Sequence, residues 1–457
     1  MILGKVIVSV LKGSKMANQN ESPQVLANFL FPKVFQSFRM AIQPSKLFIA
    51  FLAVAALYVA GSIMDLSKPV VVTRDKEGKI RETELQVYMS NPDELAPWLE
   101  ENKARADRTG LFSTLRHCAS AKFHAALRSL LALDPPSAFA NVRDYVRAVG
   151  WAMKYHYFYC IIFGIIKLVL IAIAGGAICR IAALQLARDE RPGVMEGLRY
   201  SMKRFTTLVT TPLTPIALII LIGLFIFLLG LFGKIPYAGE FIMAIFMFLA
   251  LIAGTLIAIL AIGAVAGFNL MFPAVAYDGS DCFDAISRSF SYIYSKPWHM
   301  GFYTAVAAVY GMICYLFVRF FTFLLLWSTY LFVRLGVGIV GFADARKCTA
   351  IWSYEPRFGD LVGPLNLAGL SSTESLAAFL VYLLLLAVVG LVVAFILSFY
   401  FSANTIIYSL LRSKVDHTAP EDIYTEVVTA EPTTIGPEAE ETQPESQPEE
   451  QSDEQAQ

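Results

Sequence analysis

Six apolar stretches dominate the hydrophobic pattern of this chain: residues 45–64, 157–178, 208–232, 241–267, 301–333 and 376–401. Each carries few or no charges over about 20 residues or more, the length that crosses roughly 30 Å of hydrocarbon. None alternates with the two-residue period of a barrel strand, and only helices or closed barrels satisfy their backbones in lipid. The pattern predicts an all-α, polytopic transmembrane bundle. The stretch around 300–342 is too long for one straight crossing, and Arg319 and Arg334 interrupt it. Two crossings there would make seven spans. No Gly or Pro lies between Gly311 and Gly336 to turn a hairpin. The expectation is therefore six spans, the fifth a long helix that bends into the outer interface with its arginines snorkelling.

Shorter periodicities lie between the spans. Residues 65–156 predict a small α+β insertion outside the membrane. Its strand-like runs 70–73 and 80–88 flank a turn at Gly78, and Asn91-Pro92 opens a short helix. In 111–133, Phe112, Leu115, Phe123, Leu127, Leu130 and Leu131 share one side of an amphipathic helix. After Asp134-Pro-Pro-Ser137 a further helix carries Phe139, Val142, Val146 and Val149 towards the second span. Such helices rest on the membrane surface or on the tops of the spans.

A weak repeat accompanies the spans. Glu196-Gly-Leu-Arg-Tyr-Ser201 matches Asp284-Ala-Ile-Ser-Arg-Ser289, each in an amphipathic stub with a proline before the next span, Pro212 and Pro297. Before the first span, Val34, Phe38, Ala41 and Ile42 form a similar stripe, with Ser37 in the serine place and Pro44 behind it. The pattern predicts three units of stub helix, outgoing span and returning span. Parallel repeats occur in transporters and also in scaffolds, so the repeat alone does not choose between them.

Composition and charge add orientation. The apolar share of 56 % exceeds, and the charged share of 16 % falls below, the soluble norms of roughly 45–50 % and ~25 %. The formal charge of zero conceals segregation, because no Lys or Arg follows Lys414 while acids recur to Glu454. Residues 416–457 thus predict a disordered acidic tail. Residues 1–44 carry Lys5, Lys12, Lys15, Lys33 and Arg39, and the loop after the second span holds Arg180, Arg188, Arg191, Arg199, Lys203 and Arg204. By the positive-inside rule both lie in the cytoplasm, as do Arg412 and Lys414, so both termini are expected inside a bacterial inner membrane. The insertion, at 65–156, is too long for that rule to govern. The short apolar run near Met1 lacks a small-residue cleavage site and does not predict a signal peptide; Met16 is an alternative initiator.

The layout of stubs and spans, best over residues 180–299, resembles poorly characterised bacterial multi-pass families, among them the membrane domain associated with glycerophosphodiester phosphodiesterases. The resemblance rests on the stub motif and leaves out the insertion and the tail. It implies an integral membrane module with no catalytic residues of its own.

Candidate chemistry is sparse. Lys167 falls mid-span, where insertion costs roughly 2.5–3.5 kcal/mol, so it is a candidate for an anionic ligand. The structural alternative is a hydrogen-bonded lysine facing Thr255 or Tyr310. Gly263/Gly267, Ala172/Gly176 and Ala307/Gly311 are small-x-x-x-small pairs suited to close helix packing. Asn269 and Asn404 are expected to be satisfied amides at inner span ends. Cys118 and Cys348, both placed in outer segments, are candidates for a disulfide in an oxidising compartment. His117 and His124 lack a third ligand, and no Cys spacing suggests metal. No H-E-x-x-H, G-x-S-x-G or P-loop is present, and no cofactor is expected. The expected partners are membrane lipids with anionic headgroups and a protein engaged through the tail or the insertion, not nucleic acid. These features favour a non-enzymatic scaffold or assembly factor, with a transporter or lipid-handling permease for an anionic small molecule or lipid as the alternative. Reporter fusions after residues 15, 100, 195, 285, 360 and 420 are expected to read in, out, in, in, out, in. An exterior signal at 420 would require a seventh crossing.

Overall fold

The computed structural model describes residues 31–74, 80–102, 107–339 and, between 351 and 424, all but 353, 364, 366 and 368. The turn expected at Gly78, the acidic tail beyond 424, the first 30 residues and Cys348 lie outside the described residues. In chain order, stub α1 (Gln36–Ala41) leads into span α2 (Pro44–Met64). The insertion follows as β1 (Val70–Arg74), β2 (Ile80–Thr83), α3 (Glu84–Ser90), α4 (Leu95–Asn102), β3 (Asp107–Thr109), α5 (Leu111–Leu131) and α6 (Pro135–Tyr155). Then come span α7 (Tyr157–Arg188), stub α8 (Val194–Lys203), spans α9 (Phe205–Phe232) and α10 (Ala238–Asp278), and stub α11 (Cys282–Ser295). Spans α12 (Pro297–Ile339) and α13 (Ser372–Val415) complete the bundle. Six of these helices are long and apolar enough to cross a membrane, and the chain is a multi-pass membrane protein.

The spans outrun the apolar stretches of the sequence. Helices α10, α12 and α13 hold 41, 43 and 44 residues, or about 60–66 Å at ~1.5 Å per residue. The surplus is packed against protein. On α13, large apolar side chains are exposed from Leu376 to Val393, whereas Ala394–Arg412 is mostly buried. On α7, Tyr157, Phe158, Ile161, Ile162 and Ile165 are exposed, whereas Ala172–Ala187 is mostly buried. Helix α12 passes unbroken through Arg319. That arginine does not snorkel: it is buried, and donates to Tyr315 Oη at 2.9 Å and to the carbonyls of Phe358 and Gly359 at 3.0 and 2.9 Å. The loop before α13 folds back to meet it, because a guanidinium lodged among helices needs acceptors there.

The three returning spans, α7, α10 and α13, pack on one another. Span α2 lies against α7 and α13, and α9 against α10 and α7. Each stub seats on the returning span of another unit: α8 on α7, α11 on α10, and α1 on α13, which closes a ring. Small residues allow that approach. A Cβ on Gly176 would come within 2.4 Å of Leu208 and 2.6 Å of Ser201 Oγ; one on Gly263 would meet Phe290 at 2.8 Å, and one on Gly267 would meet Ile293 at 3.0 Å. The motif serines Ser37, Ser201 and Ser289 are all fully buried. Ser201 donates to the Ile173 carbonyl of α7 at 2.7 Å, and Ser398 of α13 donates to the Ala41 carbonyl of α1 at 2.8 Å. The end of the bundle that carries these helices is called the stub end below.

The insertion is an antiparallel sheet of order β2-β1-β3 under α3, α4 and the α5–α6 hairpin. The strand expected over 80–88 stops at Thr83. There a capping box, Thr83 Oγ1 accepting from Gln86 N and Gln86 Oε1 from Thr83 N, starts α3 instead. Asp65, just past α2, accepts from the backbone of Phe112 and Ser113 at 2.7 and 2.8 Å, so the first span supplies the N-terminal cap of α5. Asp134 caps α6 through Ser137 N, and Lys122 pairs with Asp144 at 2.6 Å across the hairpin.

Gly176→Ala is expected to cost about 1–3 kcal/mol, since its methyl has no room beneath α8. Gly164→Ala, on the same helix with no atom near the added carbon, is expected to be neutral or to gain up to ~1 kcal/mol in helix propensity. Melting temperatures of the two purified variants in detergent check the contrast.

Candidate functional site

The ring is not uniform. Helix α12 runs along α13 and makes at most a marginal contact with α10, and the open seam holds a groove of about 470 Å³. Small-molecule sites are typically ~300–1,000 Å³. Asn269 lines it from α10, Thr304, Ala307, Ala308, Gly311, Met312 and Tyr315 from α12, and Phe395 to Ile407 from α13. Phe123, Leu127, Leu130 and Val142 of the hairpin close its far end. No carboxylate, amine, imidazole or thiol is among these lining residues. The groove is a place for apolar matter with polar groups at its two ends.

Towards the stub end, Tyr400 donates to Asn269 Oδ1 at 2.5 Å, beside Thr304 and Asn404. The two amides expected at span ends thus border the groove. At the far end the Tyr315 hydroxyl lies 3.2 Å from His124 Nε2 and accepts from Arg319, and the Phe123 and Tyr315 rings meet edge to face at 5.3 Å. Through these contacts the hairpin is docked on α12.

A second concentration of polar groups lies at the stub end. Asp278, at the end of α10, has Oδ1 3.0 Å from Arg412 Nε and Oδ2 3.5 Å from Arg288, and accepts from the Tyr408 hydroxyl. Arg412 also donates to the Asp422 carbonyl at 2.8 Å. The Tyr277 hydroxyl donates to the Pro420 carbonyl and that of Tyr292 to Asp416, so the segment after α13 is strapped across the bundle. Burial, and then the bond to Asp416, hold the Tyr292 phenol well above its ordinary pKa, in keeping with its role as donor. Arg180 donates to the Ala276 carbonyl at 3.0 Å and stacks 4.7 Å from the Tyr200 ring. Lys46 is fully buried and donates to Gln185 Oε1 at 2.8 Å. These polar side chains tie one helix to another.

Lys167 stands apart from both places. It is exposed on α7 and makes no hydrogen bond among the described residues. Neither proposed acceptor reaches it: Thr255 donates to Leu251 O at 2.9 Å and Tyr310 to Phe35 O at 3.1 Å. Its half of α7 has left the bundle, so the ammonium faces outward, where a flexible stem carries it. Ala172 and Gly176 lie under α8, Gly263 and Gly267 under α11, and a Cβ on Gly311 would meet Phe399 at 2.6 Å; Ala307 is buried beside it on α12. Cys118 is a half-buried free thiol on α5. Sequence reasoning missed Lys46 and Arg180 as interior groups: Lys46 counts with the bases of the amino-terminal segment and Arg180 with those of the loop after the second span, both read as cytoplasmic. The hint at Arg180 was its setting in residues 171–184, a run rich in Ala, Gly and Ile with no other charge, which suits a close-packed helix.

Burial first, then the Arg319 guanidinium, hold His124 below the ordinary imidazole value of 6.5; Arg128 acts likewise, while Ser120 and Asp360 oppose. A base whose folded pKa is lowered contributes fully above its unfolded pKa, and that stability declines as pH falls below it towards the folded value. The melting temperature of the wild type is therefore expected to fall relative to that of His124→Gln as pH drops from about 7.5 to 5.5. Parallel pH profiles would show that the imidazole does not titrate against the docked hairpin.

No protein-family description, curated protein or solved structure matches this chain.

Proposed function

We propose that this protein is a non-enzymatic membrane scaffold that engages lipid, seated in a bacterial inner membrane with both termini in the cytoplasm. The observation that carries the reading is the closed ring of stub helices. Its buried charged groups Lys46, Arg180, Asp278 and Arg412 are each engaged in bonds between helices. A permeation path needs polar groups that are free to exchange partners. Orientation follows from the bases gathered at the stub end: Arg188, Arg199, Arg204, Lys296 and Lys414 follow or precede spans there. The second reading, a lipid-handling permease, has the groove in its favour, since a lipid can leave the bilayer sideways through an open seam.

The two readings differ in whether the units must move against each other. Thr214 Oγ1 of α9 lies 3.1 Å from Cys282 Sγ of stub α11, so Thr214→Cys places two sulfurs within reach of a disulfide between units. A strain lacking the gene, complemented with this variant and grown with or without diamide, is expected to keep its wild-type phenotype once the bridge has formed. Loss of function on oxidation, with recovery on reduction and no such effect in wild type, would replace the scaffold with a moving permease. Alkylation of the extracted protein reports bridge formation.

A further inference from the structure

The groove has a charged doorway at the stub end. Lys296, His299 and Lys414 stand within electrostatic reach of one another, from the residue before α12, its first turn and the last turn of α13. The Lys414 ammonium lies 5.9 Å from the centre of the Tyr303 ring, and the next residue, Thr304, borders the groove. Tyr303 is fully buried, and its hydroxyl has no hydrogen-bond partner among the described residues. Beside this cluster Trp298 is 88 % exposed and Tyr294 47 %, the placement of aromatic residues that mark the headgroup layer. Basic pockets between membrane helices on the cytoplasmic side are suited to anionic lipid headgroups.

The dimensions agree. Thr304 to Tyr315 spans eleven steps along α12, about 16 Å at ~1.5 Å per residue. One leaflet's chains occupy about half of the ~30 Å hydrocarbon layer. Along its length the wall is aliphatic and aromatic, and α12 is flanked by exposed Phe302, Val309 and Ile313, so the groove continues a surface that lipid covers.

We propose that the seam between α10 and α12 is a binding site for one anionic phospholipid, its phosphate at Lys296, His299 and Lys414 and one acyl chain in the groove. The lipid supplies what the third seam lacks: apolar contact where α12 and α10 part, beside the Asn404 side chain that borders the groove. Two groups of residues therefore set two separable properties. The groove sets whether a chain enters, and the three bases set which headgroup is kept. The proposal rests on the lipid-engaging part of the function proposed above, but not on its scaffold part.

The test uses the full chain in detergent, with phosphatidylglycerol and phosphatidylcholine added in parallel. Phosphatidylglycerol is expected to raise the melting temperature more than phosphatidylcholine does, and to be retained in native mass spectra as one bound molecule. Ala308→Phe puts a ring into the groove from an exposed position and is expected to abolish retention and both thermal shifts. Lys296→Gln/Lys414→Gln is expected to keep the phosphatidylcholine shift and lose the preference for the anionic lipid. Equal shifts by the two lipids in wild type, or unchanged retention in Ala308→Phe, would overturn the site. A photo-reactive residue in place of Leu130 reads the occupant directly. A lipid adduct supports the proposal, whereas an adduct to residues 1–30, to residues 425–457 or to a second copy of the chain overturns it. Any of these failures leaves the Thr214→Cys result, and with it the scaffold reading, standing.

Discussion

Close approach of the stub helices to the returning spans is the constraint on which the rest of the structure depends. Between helices in lipid the hydrophobic effect provides little drive, so association relies on van der Waals contact and interhelical hydrogen bonds. Gly176, Gly263 and Gly267 remove the side chains that would hold the helices apart, and Ser201 and Ser398 exploit the gap by reaching backbone carbonyls across it. Once α8, α11 and α1 are seated, α7, α10 and α13 have fixed neighbours and the ring closes. The outer halves of the same spans have no such stubs, and there many of their large apolar side chains are exposed.

The polar groups at the stub end follow from that packing. A buried guanidinium or ammonium is costly unless carbonyls, amides or acids meet it, and removal of one partner is worse than absence of both. Arg180 is met by the Ala276 carbonyl and Arg412 by Asp278 and the strap after α13. Such bonds add little net stability, but each is satisfied in only one arrangement of the helices. They make the ring specific rather than merely compact.

The groove is where the threefold plan is broken. The outgoing spans α2 and α9 each lie between two returning spans, but α12 is drawn along α13 and away from α10. Besides the stub segment at Phe35 and Phe38, its contacts at that level include the insertion and the folded-back loop: Phe123 and His124 on Tyr315, and the carbonyls of Phe358 and Gly359 on Arg319. Neither partner has a counterpart in the other two units. The asymmetry at the seam thus coincides with contacts from segments outside the repeat.

Much of this architecture was legible in the one-dimensional pattern, for a physical reason. Lipid imposes its requirements residue by residue, so the six spans, the continuity of α12 and the amphipathic stubs with their serines all show as local periodicity and an absence of Gly or Pro. Capping was local too, and Thr83 with Gln86 would have shown that the second strand ends early. What only the tertiary structure decided is which apolar half of each long helix meets lipid and which meets protein, because both environments accept the same Leu, Ile and Phe. For the same reason Lys167, the obvious candidate in the sequence, lies outside, while Lys46 lies inside. A charge does not declare whether its acceptor is water or a glutamine 139 residues away. The groove was invisible for a further reason. It is a gap between helices, lined by residues indistinguishable from any other packing face, and a gap exists only once the helices around it are in place.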